Sequence, residues 1–240
     1  MMEFLLTNGS PLDPRDKMNQ TPLHYAASKG NIEAVKVLVS KRAVINKQDS
    51  EGDTPLHYAA TMDGSRETEE KLYRYRTTCE LLIKGGANPD TGNNMGWTPL
   101  HRAANNGRLE IIDLLLENGA TLSKPDKEGN TALHVTCMGN RIECARKLLL
   151  AGARAGIVNL AGQTPAQLTR DAGLIHLLDN SDQVMRAKKG VRGLTKQDSD
   201  AAASVQKAYP TGEVSTPKGF GVPNNRRTLP VRKESWSLVD

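Results

Sequence analysis

Four of the five histidines, His24, His57, His101 and His134, and the three cysteines, Cys79, Cys137 and Cys144, are the side chains whose types could hold a metal ion or act as base and nucleophile. Spacing decides between those uses. The histidines lie 33, 44 and 33 residues apart, and each follows a Thr-x-Leu triplet. Identical surroundings imply one local job repeated once per unit, not convergence on a common centre. Packed helices lie ~8–10 Å apart, whereas a zinc–nitrogen bond is ~2.0–2.1 Å. Rings carried on successive stacked helices therefore cannot share an ion. Their expected work is hydrogen bonding through both ring nitrogens, to loop backbone and to the neighbouring Thr. The cysteines are odd in number and form no Cys-x-x-Cys pair, which argues for a reducing compartment and against a disulfide framework. Cys137 stands where related segments have Ala27, Ala60 and Ala104, and Cys144 where they have Ala34 and Ile111, so both read as small core residues. His176 has no evident partner. Nucleophile-elbow, phosphate-loop and dinucleotide signatures are absent from the sequence. No catalytic residue, metal or cofactor is expected.

The elements that carry these residues repeat. Thr21-Pro22-Leu23-His24-Tyr25-Ala26-Ala27 returns as Thr54-Pro55-Leu56-His57-Tyr58-Ala59-Ala60 and as Thr98-Pro99-Leu100-His101-Arg102-Ala103-Ala104. Altered copies follow at Thr131-Ala132-Leu133-His134 and Thr164-Pro165-Ala166-Gln167. Each has a physical rationale. Thr caps a helix by accepting an orphan first-turn N–H. Pro fits the first helical position, where no N–H is needed. The Ala pair lets neighbouring helices approach closely. A second apolar segment follows in each unit, as in Leu109–Leu116 and Ile142–Leu150, and Gly86, Gly119 and Gly152 can end it in the left-handed conformation. Arg42 stands at that glycine position in the first unit, so its cap should be weaker. Asn140 replaces the inter-helix Gly30 and Gly107, and Asn tolerates that turn.

The signature and its period resemble the ankyrin-repeat family. The resemblance covers about residues 1–180 and implies an all-α solenoid of stacked helix pairs with β-turn fingers. The units read as a partial one at 1–15, then 16–48, 49–92 with an insertion, 93–125, 126–158, and a C-terminal cap at 159–180. Glu3–Gly9 matches only a second helix. Either a cap is missing and apolar surface is exposed, or this half-helix is itself a partial cap, or the sequence is a fragment. One unit cannot bury its apolar face alone, so the units must stack.

The resemblance further implies protein recognition by the fingers and the concave face of the first helices. By repeat position the finger residues include Lys17, Met18, Glu51, Asp53, Met95, Trp97, Lys127 and Glu128, and the first-helix residues are Tyr25, Tyr58 and Arg102. Tyr, Trp and Arg are enriched at interface hot spots, which singles out Tyr25, Tyr58, Trp97 and Arg102. The resemblance also implies that Asn46 stands where an asparaginyl hydroxylase can modify members of the family, although the other units carry Asp90, Ser123 and Gly156 there.

The second unit is longer by 11 residues, between Ala60 and Thr77. Thr68 can cap a helix with Glu69 and Glu70 in its first turn. Leu72, Tyr75, Cys79 and Leu82 form one helical stripe. The expectation is a lengthened second helix projecting up to ~16 Å and displaying Tyr73, Arg74 and Arg76.

Charge separates the chain into two parts. Residues 1–180 hold 21 Lys/Arg and 21 Asp/Glu, whereas 181–240 hold 11 and 6. The latter segment is poor in apolar residues and should be a basic, mostly disordered tail, with a short helix near 198–209. Arg232-Lys233-Glu234-Ser235 resembles a kinase site at Ser235, and Arg226-Arg227-Thr228-Leu229 a short docking motif. An excess of five charges over sixty residues, with no base-reading module, argues against nucleic acid as the main partner. No apolar run reaches the ~20 residues that span a bilayer, and no secretory signal is evident. The expectation is a monomeric scaffold or adaptor in the cytoplasm or nucleus that binds one or more proteins. The alternative is a regulatory subunit whose basic tail acts on an enzyme or nucleic acid.

Overall fold

A computed structural model gives the architecture for residues 12–61 and 68–189, with side chains to Ser181. Among the described residues the chain is α-helical with no strand. First helices α1 (Pro22–Ser28), α3 (Pro55–Thr61), α5 (Pro99–Asn106) and α7 (Ala132–Met138) alternate with second helices α2 (Ile32–Ser40), α4 (Glu69–Lys84), α6 (Leu109–Glu117) and α8 (Ile142–Leu150). A 3₁₀ turn at Pro165–Leu168 and α9 (Ala172–Lys189) close the stack. First helices contact first helices, second contact second, and each pair packs internally.

The core is one continuous cluster that runs the length of the stack. Leu23, Leu56, Leu100 and Leu133 from the first helices and Leu38, Leu82, Leu115 and Leu148 from the second are all fully buried. Each contributes ~1.5–3 kcal/mol by leaving water. Between them lie Ala27, Ala60, Ala104 and Cys137, small enough to let neighbouring helices meet.

Second helices end as their sequences require. Gly86, Gly119 and Gly152 are left-handed, and the next residue's N–H returns to the buried Leu carbonyl: Ala87 to Leu82, Ala120 to Leu115 and Ala153 to Leu148, each at 2.9 Å. Arg42 adopts the same conformation, φ 68°, and Ala43 N–H still reaches Leu38 O at 3.0 Å. The first cap thus keeps its geometry, and its weakness is the ~1–2 kcal/mol of left-handed strain in a residue with a Cβ. Asn140 sits at φ 51° and the inter-helix turn survives.

The insertion is partly as expected. α4 starts at Thr68, whose hydroxyl accepts Lys71 N–H at 3.2 Å, and carries Glu69 and Glu70 in its first turn. Yet α4 has 16 residues against 9 in α6, so the gain is two turns, or about 10 Å. Residues 62–67 lie outside the described residues. The added turns also pack back onto the stack. Tyr75 donates its hydroxyl to Ser28 O at 2.6 Å, while Arg74 donates to Lys29 O at 2.8 Å and Gly30 O at 3.2 Å. Three carbonyls at the C-terminal end of α1 are capped this way. Arg74 is therefore a clamp and not a displayed side chain, and of the three residues expected on display Tyr73 and Arg76 are exposed.

The boundary placed at residue 181 needs correction: α9 runs through it to Lys189. From residue 190 on, the expected disordered tail, its short helix and Ser235 lie outside the described residues.

Candidate protein-recognition surface

Five fingers precede the first helices, each built on one Asx residue. Asp16, Asp49, Asn93, Asp126 and Asn159 accept, through Oδ1, the N–H groups two and four residues on. The residue at the fourth position is left-handed in every finger: Asn19, Gly52, Gly96, Gly129 and Gly162. Glycine is required at three of them by close approach. A Cβ on Gly52, Gly96 or Gly129 would meet the following finger's backbone at 2.6–2.8 Å.

That approach exists because the fingers are bonded to one another. Ser50 N–H donates to Met18 O, Asn94 to Glu51 O, Lys127 to Met95 O and Leu160 to Glu128 O, at 2.9–3.0 Å. The result is a row of turns held in fixed register, with the second and third residues of each tip exposed. Met18, Glu51, Met95, Lys127, Glu128 and Leu160 are all exposed.

The histidines lock the row to the helices. The Thr21, Thr54, Thr98 and Thr131 N–H groups donate to Nδ1 of His24, His57, His101 and His134 at 3.0–3.1 Å. Each Nδ1 is thus an acceptor, so the ring proton is on Nε2. That nitrogen donates across to the next finger: His24 to Asp53 O, His57 to Trp97 O, His101 to Asn130 O and His134 to Gln163 O, at 2.8–3.2 Å. These are the loop-backbone bonds expected from the spacing. The rings are separate, one per repeat, and no group of three or more metal-ligating side chains forms among the described residues. The cysteines are buried. Burial pushes the thiol of Cys144 up to about 11 and that of Cys137 up to about 12, and raises Cys79 as well. A reactive thiolate needs the opposite shift.

The expected contact residues divide into two groups. Tyr25 is 52% exposed and Met95 49%, and Tyr73 stands outward on α4. Tyr25 is steadied by donating to Asp16 Oδ2 at 2.7 Å. It flanks an apolar cleft of about 620 Å³ lined by Pro14, Gln20, Pro22, Ala26 and Lys29. The remaining four, Tyr58, Arg74, Trp97 and Arg102, are engaged inside the stack. Tyr58 donates to Asp49 Oδ2 at 2.7 Å and accepts from Gln20 Nε2 at 2.6 Å. Arg102 is a quarter exposed, pairs with Asp53 at 2.6 Å and lies 5.4 Å from the centre of the Trp97 ring.

Trp97 requires a correction, because it is only 8% exposed. Its indole N–H donates to Asp126 Oδ2 at 3.1 Å, and its ring stacks on His101. Asp53 is likewise buried, held by Asn93 and Arg102. Both occupy the base of a finger, where the side chain reaches the next repeat. Leu160 was missed, though its position in the finger repeat is that of Lys127. Asn46 has both ends of its amide occupied, donating to Gly86 O at 2.8 Å and accepting from Asn88 N–H at 2.9 Å. Asp13 and Asp90 reach forward in the same way, to Val44 and Thr121 N–H, so Asn46 is one rung of an inter-repeat ladder. No helix among the described residues is long and apolar enough to cross a membrane.

Comparison with known proteins agrees with this geometry. The family profile described as ankyrin repeats (3 copies) matches residues 1–78 and 71–159, more than half of the chain. The chain is similar to "Ankyrin repeat, SAM and basic leucine zipper domain-containing protein 1" of Carollia perspicillata, 31% identical over 112 residues, covering 47% of this chain and 22% of that protein. It is also similar to "ANK repeat-containing protein nipk-1" of Caenorhabditis elegans, 30% identical over 119 residues, covering 47% of this chain and 19% of that protein. The matched region thus spans about a fifth of the length of these relatives. With its helix pairs, its bonded fingers and this match, the chain belongs to the ankyrin-repeat family.

Proposed function

We propose that this protein is a scaffold or adaptor that captures a partner protein along the finger row and the adjoining concave face. One observation carries the reading: five fingers, fixed to each other by backbone bonds, present Met18, Met95 and Leu160 among charged neighbours such as Glu51, Lys127 and Glu128. A solvent-facing methionine contributes little to folding, but it adapts readily to a partner's surface. The register is set in advance, so binding orders little backbone and loses little entropy. Tyr25, beside its apolar cleft, extends the surface at the first repeat, and Tyr73 on α4 is a second outlying contact.

The test is capture of partners from extract by the full chain and by Met95→Glu and Tyr25→Ala. Both variants should keep the wild-type helical spectrum and lose the specific partner at least tenfold. Retention of the same partner by both would remove the finger row as the binding surface.

A further inference from the structure

The line of histidines has a chemical consequence beyond recognition. All four rings are buried, and in each the Thr N–H points at Nδ1 from 3.0–3.1 Å. Adding a proton to Nδ1 would set two donors head to head in a dry interior. The Thr hydroxyl oxygen, 2.8–2.9 Å from Nδ1, would take the new N–H, and the Thr N–H would lose its acceptor.

The groups around each ring weigh on both sides. His24 faces Asp49 and Asp53 and meets the Tyr58 ring edge-on. His57 has Asp53 at 4.0 Å and Asp49 further off, but Arg102 opposes them and itself claims Asp53. His101 lies against Trp97 and faces Asp126, with His57 and His134 as like-charged neighbours once protonated. His134 faces Asp126. The carboxylates favour the charged ring and burial opposes it. Burial is the larger effect at all four, which are held below the usual histidine range, His101 at about 4.

The fifth repeat supplies a natural comparison. Gln167 stands at the histidine position, and its Oε1 accepts Thr164 N–H at 2.8 Å. An amide oxygen fills the acceptor role of Nδ1 without titrating.

We propose that His24, His57, His101 and His134 form an acid-sensitive latch that uncouples successive repeats in mildly acidic surroundings, and that Gln167 is its non-titrating counterpart. The sign follows from linkage. With the folded value below the unfolded one, the unfolded chain binds more protons as the pH falls below about 6.5. Stability is therefore fully present above about 6.5 and is lost on acidification, until each folded ring titrates. For His101 the folding constant falls by up to tenfold per pH unit between about 6.5 and about 4, in all about 160-fold by pH 4, and the other three add in the same direction.

The experiment is urea unfolding of the full chain at pH 7.5, 6.5, 5.5 and 5.0, followed by circular dichroism, beside His101→Gln. The wild-type midpoint should fall steadily below pH 6.5, and His101→Gln should fall less, by up to tenfold per pH unit in the folding constant. A wild-type midpoint that holds steady to pH 5.0, or a variant that tracks the wild type, would overturn the latch. Should His101→Gln fail to fold, the ring ¹⁵N spectrum of the histidine-labelled wild type decides. Neutral Nε2–H tautomers at pH 7.5 are expected, with imidazolium signals on acidification appearing only together with those of unfolded chain, whereas imidazolium signals from those rings in the folded chain at pH 6 refute the proposal.

Discussion

Tyr75 donates its hydroxyl to the carbonyl of Ser28 at 2.6 Å, joining the lengthened helix α4 to the end of α1. The ring also lies against Gly30, 3.2 Å from the place a Cβ would take. Tyr75→Phe keeps the packing and deletes the bond, which should cost about 1–2 kcal/mol in urea unfolding. Tyr75→Ala also leaves a cavity and should cost about 3–5 kcal/mol. Tyr73→Ala, two residues away and exposed, should change stability by less than about 0.5 kcal/mol. Equal effects of Tyr75→Ala and Tyr73→Ala would show that the added turns do not pack on the first repeat.

Trp97 and Met95 share one finger but are expected to behave in opposite ways. Trp97→Phe removes the shortest of the bonds to Oδ2 of the buried Asp126 and should destabilise by about 1–3 kcal/mol. Met95→Ala should leave the melting temperature within a degree or two and weaken partner capture. Thermal melts and binding on the same two variants check the split.

Glycines in the fingers and in the helix caps differ in what a methyl group would meet. Gly96 and Gly119 both have positive φ, 80° and 85°. A Cβ at Gly119 meets nothing within 4 Å, whereas one at Gly96 meets Lys127 N at 2.7 Å. Gly119→Ala should therefore cost only the left-handed strain, about 1–2 kcal/mol. Gly96→Ala should cost more than that, because two bonded fingers must separate. Chemical denaturation of the pair measures the difference.

Much of this was legible in the sequence. The 33-residue spacing gave the helix pairs, and the histidine's constant place predicted its two-ended bonding before any distance was known. What escaped was the use of side chains that differ from repeat to repeat. Gln20, Asp53, Trp97 and Asn130 hold one position as two carboxamides, a carboxylate and an indole, so no single residue type marks the position as a bridge to the next finger. Residue type alone made Trp97 a contact candidate, and position made it structural. Arg74 escaped for a related reason: periodicity places it on an outer face, but a long side chain can turn back to carbonyls that the helix end leaves without partners. Tyr58 and Arg102 stand between these cases, partly exposed yet bonded to Asp49 and Asp53.

The finger row can be tested as a contact surface without knowing the partner in advance. A photo-crosslinking residue placed at Met95, and in a second variant at Glu117 on the outer helix α6, would report which side a partner touches in living cells. A discrete adduct from position 95 and none from 117 is the expected result. An adduct from 117 alone would mean that recognition occurs on the outer helices and not on the fingers.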